Sequence, residues 1–185
     1  MSGRSDIEYR VLRETIASRG TWRPAVALAG ITAWAATLIA VMVLLPYPLV
    51  SVVPLLVLAT SFEVIRTLHF GAERLGRYLQ AFYEEAGEPG KPLADLPAWE
   101  RVAMALGPSV PGAAGHPLFV PIYLGATAAN FLAVALPGPT AVESAALAAV
   151  HLGYGVWLVV TDRAMRTQRA TELERFRQLR GAADR

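Results

Sequence analysis

The chain has 185 residues, 54% hydrophobic and 17% charged, with a formal net charge of +2. Its charged fraction, well below the roughly one quarter usual for soluble domains, and its apolar residues gathered into blocks exclude an ordinary water-soluble protein. The absence of cysteine excludes disulfides, thiolate metal sites and thiol catalysis.

Residues 1–23 are polar and hold Arg4, Arg10, Arg13, Arg19 and Arg23. Ser5 and Glu8 have capping-box spacing, and Gly20 is a stop signal, so a separate helix is expected over 5–19. Its apolar stripe, Ile7, Val11, Leu12 and Ile16, suits either a membrane surface or the chain's own helices. The first apolar run comes too late for a cleavable signal peptide.

A first span is expected over 24–45, opened by Pro24 in the first turn. Ala25, Ala29, Ala33, Ala36 and Ala40 supply small-residue spacing for close helix contact. The turn at Leu45-Pro46-Tyr47-Pro48 leads into a second span, 48–68, in which Pro54 is expected to introduce a slight kink. This span runs on through Ser61–Glu85 without a Gly-Pro break. Glu63, Arg66, His69, Glu73, Arg74, Arg77 and Glu84 share one arc of that helix, and Val64, Ile65, Leu68, Ala72, Leu75, Leu79 and Phe82 the other.

Residues 87–116 form a Gly/Pro-rich linker around a short helix, 96–106, with Trp99 suited to the headgroup layer. A third span follows at 117–136 and a fourth at 141–161, joined by Pro137-Gly138-Pro139. The fourth continues as a charged helix over 162–180.

The expected fold is therefore all-α: an integral membrane four-helix bundle of two antiparallel hairpins in a single domain, with helical extensions. Basic residues number five in segment 1–23, four in 69–116 and seven in 162–185, and none lies in the two proline turns. The positive-inside rule places both termini and residues 69–116 in the cytoplasm. Sixteen of the 17 basic residues are Arg, a usage consistent with a GC-rich bacterial genome and an inner-membrane location. Because these residues flank spans, they are assigned to orientation and to anionic lipid headgroups, not to nucleic acid.

An ionisable group inside a span costs roughly 2.5–3.5 kcal/mol on insertion scales and normally faces protein. The candidate intramembrane polar site is Glu63, Arg66, His69, Tyr123, Asn130 and His151. Counting depth from the charged side at about 1.5 Å per residue puts Glu63 level with Gly30, Tyr123 and Val156. Its expected partners are Arg66, one turn away, and then the Tyr123 hydroxyl. His151 is level with Trp34 and Thr127, with Thr127 the expected hydrogen-bond partner, and Asn130 is level with Thr37. Glu143 is placed where a helix dipole favours an acid. His69 and Glu73 have chelating spacing, and His116 is the only further histidine at hand, which falls short of a metal site. No phosphate loop, HExxH or GxSxG occurs, so neither a catalytic residue nor a cofactor is assigned.

These features favour a non-enzymatic scaffold or modulator acting on a protein partner through its cytoplasmic helices. The alternative is a small transporter or channel subunit using Glu63, Arg66 and His151. A homo-oligomer is compatible with both.

Overall fold

The computed structural model describes residues 3–45, 47–84, 118–136 and 138–183. Every regular element among them is helical. Helix α1 covers Gly3–Leu44, α2 covers Val52–Leu79 after a 3₁₀ turn at Pro48–Ser51, α3 covers Val120–Ala135, and α4 covers Ala141–Ala183. The expected helix 96–106 lies outside the described residues.

Three helical stretches, Ile7–Leu44, Pro48–Tyr83 and Ala141–Ala182, are long and apolar enough to cross a membrane. Helix α3 is apolar but has only 16 residues. At 1.5 Å per residue it extends about 24 Å, less than the roughly 30 Å of a hydrocarbon core. Its start is set back from the expected 117 by Phe119, whose φ of 53° lies in the left-handed region, and Pro121 occupies the first turn. A side chain is disfavoured at positive φ, so the helix cannot extend backwards through this residue.

The separate helix over 5–19 is not found. Helix α1 passes without interruption through Gly20 and Pro24. A glycine costs a helix interior about 1 kcal/mol and a proline about 3 kcal/mol. Contact with α2 and with the turn that follows it offsets this: Tyr9 meets Tyr83, Arg23 meets His69 and Gly30 meets Ser61. The apolar stripe divides accordingly, with Leu12 and Ile16 half-buried and Ile7 and Val11 exposed.

Pro54 does not fall in the middle of a helix. It lies in the first turn of α2, where its missing N–H has no intrahelical partner to lose. Helix α2 continues past Phe70–Arg77 and ends in a wider π turn at Gln80–Glu84. There Arg180 Nη1 donates to the Ala81 carbonyl at 2.6 Å. Helix α4 opens with a capping box: Thr140 N donates to Glu143 Oε2 at 2.9 Å, and Glu143 N to Thr140 Oγ1 at 3.4 Å.

Helix α2 sits between the other three. Its Leu58, Phe62 and Ile65 are fully buried, packed with Tyr123 of α3 and Leu158 of α4. The alanine stripe of α1 faces outward, since Ala25, Ala29, Ala33, Ala36 and Ala40 are all exposed. Ala27 and Gly30 make the close approach instead. A Cβ at position 30 would strike Ser61 Cβ and lie 3.4 Å from the Tyr123 hydroxyl. Gly30→Ala is therefore expected to lower stability by about 1–3 kcal/mol through overpacking. Adding Ser61→Gly should recover part of that loss. Thermal unfolding of the two single variants and the double variant in detergent checks it, and strictly additive losses would count against the contact.

Candidate functional site

Polar side chains gather at three levels. Towards the proline turns, Asn130 of α3 is fully buried and joins three other segments. Its Nδ2 donates to the Ser51 carbonyl at 3.1 Å and to His151 Nε2 at 2.8 Å, and its Oδ1 accepts from Trp34 Nε1 at 3.2 Å. Because His151 Nε2 accepts, the ring carries its proton on Nδ1, which donates to the Leu147 carbonyl at 2.7 Å. Both histidine nitrogens are thereby used. Phe131 closes over the ring edge-on with centroids 5.4 Å apart.

The expected partner of His151 was Thr127, which instead donates to the Tyr123 carbonyl at 2.7 Å, one turn back on its own helix. Nor does Thr37 meet Asn130, because its hydroxyl donates to the Ala33 carbonyl at 2.7 Å. In both cases a threonine satisfies itself locally, and the longer Asn, His and Trp side chains reach across helices.

At the next level Tyr123 donates to Ser61 Oγ at 3.0 Å, beside Gly30. The expected link from Tyr123 to Glu63 is not made. Ser61 and Glu63 are two residues apart on α2, about 200° around the helix, so only one can face Tyr123. Glu63 pairs with Arg66 instead: Arg66 Nε donates to Oε2 at 2.7 Å, and Nη2 contacts Oε1. The pair lies along the outside of α2, with the Glu63 and Arg66 side chains 44% and 38% exposed. It does not join His151.

The third level is the Arg-rich end. The apolar and polar arcs of α2 do not correspond to inside and outside here, since His69 and Arg77 from the polar arc are buried and Val64 from the apolar arc is exposed. Arg77 Nη2 donates to Glu172 Oε2 of α4 at 2.6 Å, and Nη1 contacts Glu73 at 3.4 Å. Glu172 also takes bonds from Arg74 at 3.2 Å and from Gln168 at 2.7 Å. Burial opposes the Glu172 carboxylate, but the hydrogen bonds from Arg74 and Arg77 outweigh it and hold its pKa below the ordinary value. Tyr78, Phe82 and Phe176 pack against one another at this end, a second contact between α2, its terminal turn and α4.

Arg23 Nη1 lies 2.7 Å from His69 Nδ1. Arginine can only donate, so His69 accepts on Nδ1 and is neutral. Burial lowers its pKa, Glu73 and Asp162 oppose that, and Arg23 and Arg77 add to it, for a net decrease. The folded chain thus resists a proton that the unfolded chain binds near pH 6.5. The contribution of His69 to stability is present above that pH and is lost as pH falls below it. His69→Gln keeps an acceptor for Arg23 and does not titrate. It is expected to flatten the fall in melting temperature just below pH 6.5, and an unchanged slope would rule His69 out as its source.

Among the described residues no group of three His, Asp or Glu side chains is placed to hold a metal, and His116 lies outside them. The sequence reading missed Arg23, Trp34, Ser51 and Glu172 as polar partners. Trp34 was at the correct depth and carries an indole N–H that must find an acceptor in an apolar setting. Glu172 gave no such signal, as it is one of several acids in a charged helix.

No family model, curated protein or solved structure matches this chain.

Proposed function

We propose that the chain is a four-span protein of the bacterial inner membrane, built of two antiparallel hairpins with both termini cytoplasmic. In this reading it acts without catalysis as a scaffold or modulator of a protein partner. The observation that carries the reading is the contrast between its two ends. The polar groups of Asn130, His151 and Trp34 are spent on one another and on backbone carbonyls. The Arg-rich ends of α1, α2 and α4 instead form a braced platform that still exposes Ile7, Val11 and Leu179.

Transport is the second reading, favoured by the half-exposed Glu63–Arg66 pair. Exposed pairs contribute about 0–1 kcal/mol, so Glu63→Gln with Arg66→Gln should remain folded with nearly unchanged stability. Two measurements separate the readings. A photo-crosslinker at Val11 or Leu179 in native membranes should give a discrete protein adduct that one at Ala29 does not give. Liposomes holding the wild-type chain should pass protons no faster than empty ones. A wild-type proton flux that is lost in folded Glu63→Gln would replace the scaffold reading with transport.

A further inference from the structure

Helices α3 and α4 leave an apolar groove of about 680 Å³ between them. Leu124, Phe131, Leu152, Val156 and Val160 line it, His151 lies towards one end and Arg163 at the other. Arg163 lies twelve positions after His151 on α4, a rise of about 18 Å at 1.5 Å per residue. One leaflet of a bilayer offers about 15 Å of hydrocarbon, half of the full core. The length of the groove therefore matches that of one leaflet.

Its two ends differ in chemistry. The ring nitrogens of His151 are both engaged, by Asn130 and by the Leu147 carbonyl, so the deep end offers no free polar group from that side chain. Arg163 is exposed and has no ion-pair partner among the described residues. The next arginine on the helix, Arg166, is held by Asp162 at 2.8 Å. A free guanidinium at the mouth of a leaflet-deep apolar groove complements a chain of hydrocarbon ending in a phosphate.

We propose that this groove holds an acyl chain of an anionic phospholipid, with the lipid phosphate on Arg163. The site rests on membrane insertion of α3 and α4 and is independent of the scaffold reading. Gly155 keeps the wall open. A Cβ there would meet only Leu124 Cδ2, at 3.6 Å, so a side chain can enter the groove without striking the backbone.

The test uses the full chain in detergent, with lipid retention read by native mass spectrometry and melting temperature read in parallel. The probes are phosphatidylglycerol, phosphatidylcholine of the same acyl chains, and inorganic phosphate. Wild-type protein should retain phosphatidylglycerol over phosphatidylcholine by about fivefold, the effect of one arginine at a membrane surface. Arg163→Gln should abolish that preference, and Gly155→Leu should reduce retention of both lipids. Ala128→Leu, at an exposed position in the same groove, serves if Gly155→Leu does not fold. Equal retention of the two lipids by wild type, or a preference that survives Arg163→Gln, would overturn the proposal. So would stabilisation by inorganic phosphate equal to that by lipid. A lipid-free dimer that Gly155→Leu dissociates would assign the groove to a second copy instead.

Discussion

Replacing Glu172 by Gln is expected to destabilise the chain by about 3 kcal/mol, at the lower end of the cost of breaking a buried ion pair. The lower end applies because the Glu172 side chain is 17% exposed, whereas that of Arg77 is 5% exposed. The loss arises from what remains. Arg77 keeps its charge, faces a neutral amide where its closest carboxylate stood, has Glu73 at 3.4 Å as its remaining carboxylate, and has a buried Nε with no partner. Arg77→Met combined with Glu172→Met should recover much of the loss, because removing both charges also removes their desolvation cost. Arg74→Gln should cost far less, since Arg74 is 53% exposed. Melting temperatures in detergent at low and high salt check this: the Glu172→Gln loss should persist at high salt and any Arg74→Gln loss should shrink. A double methionine variant less stable than either single one would show that the bridge is not the cause.

The second large effect is expected at Asn130. Asn130→Leu keeps an apolar volume at the site but removes three hydrogen bonds, taking the Asn130 partner from Trp34 Nε1, from His151 Nε2 and from the Ser51 carbonyl. Hydrogen bonds between membrane helices average about 0.6 kcal/mol and reach about 1.7 kcal/mol. Three of them centred on one fully buried amide give an expected loss of about 3 kcal/mol. The test that isolates the network is a double-mutant cycle with Trp34→Phe, which already removes one of the three bonds. The combined loss should fall short of the sum of the single losses. Full additivity would mean that Trp34 and Asn130 do not act on each other, and the geometry of the buried hub would then be wrong.

Hydropathy blocks are a local property, and the helices follow them. The blocks over 24–45, 48–68 and 141–161 fall in long helices apart from Leu45 and the 3₁₀ turn at Pro48–Ser51, and the absence of a Gly-Pro pair after Ser61 and after Ala141 correctly marks α2 and α4 as continuing into charged sequence. The Glu63–Arg66 pair was equally legible, because both residues lie on one helix at i,i+3. Local stop signals read less well. Gly20 and Pro24 each disfavour a helix by an amount that can be stated in advance, but the opposing contact of α1 with α2 is invisible until both helices are placed.

The sequence alone determined which stretches are helical and apolar, how far along each helix the polar groups fall, and which of them must find partners. Depth follows from counting residues, and it placed Trp34 beside His151 and Gly30 beside Tyr123 to within a turn. Tertiary structure decided the rotation of each helix about its own axis. That angle made Ser61 and not Glu63 the partner of Tyr123, turned the alanine stripe of α1 outward, and buried His69 and Arg77 from an arc that reads as polar. The physical reason is that a residue's position along a helix is additive in residue number. Its facing is set only when four surfaces pack together, and one residue of rotation exchanges a buried partner for an exposed one.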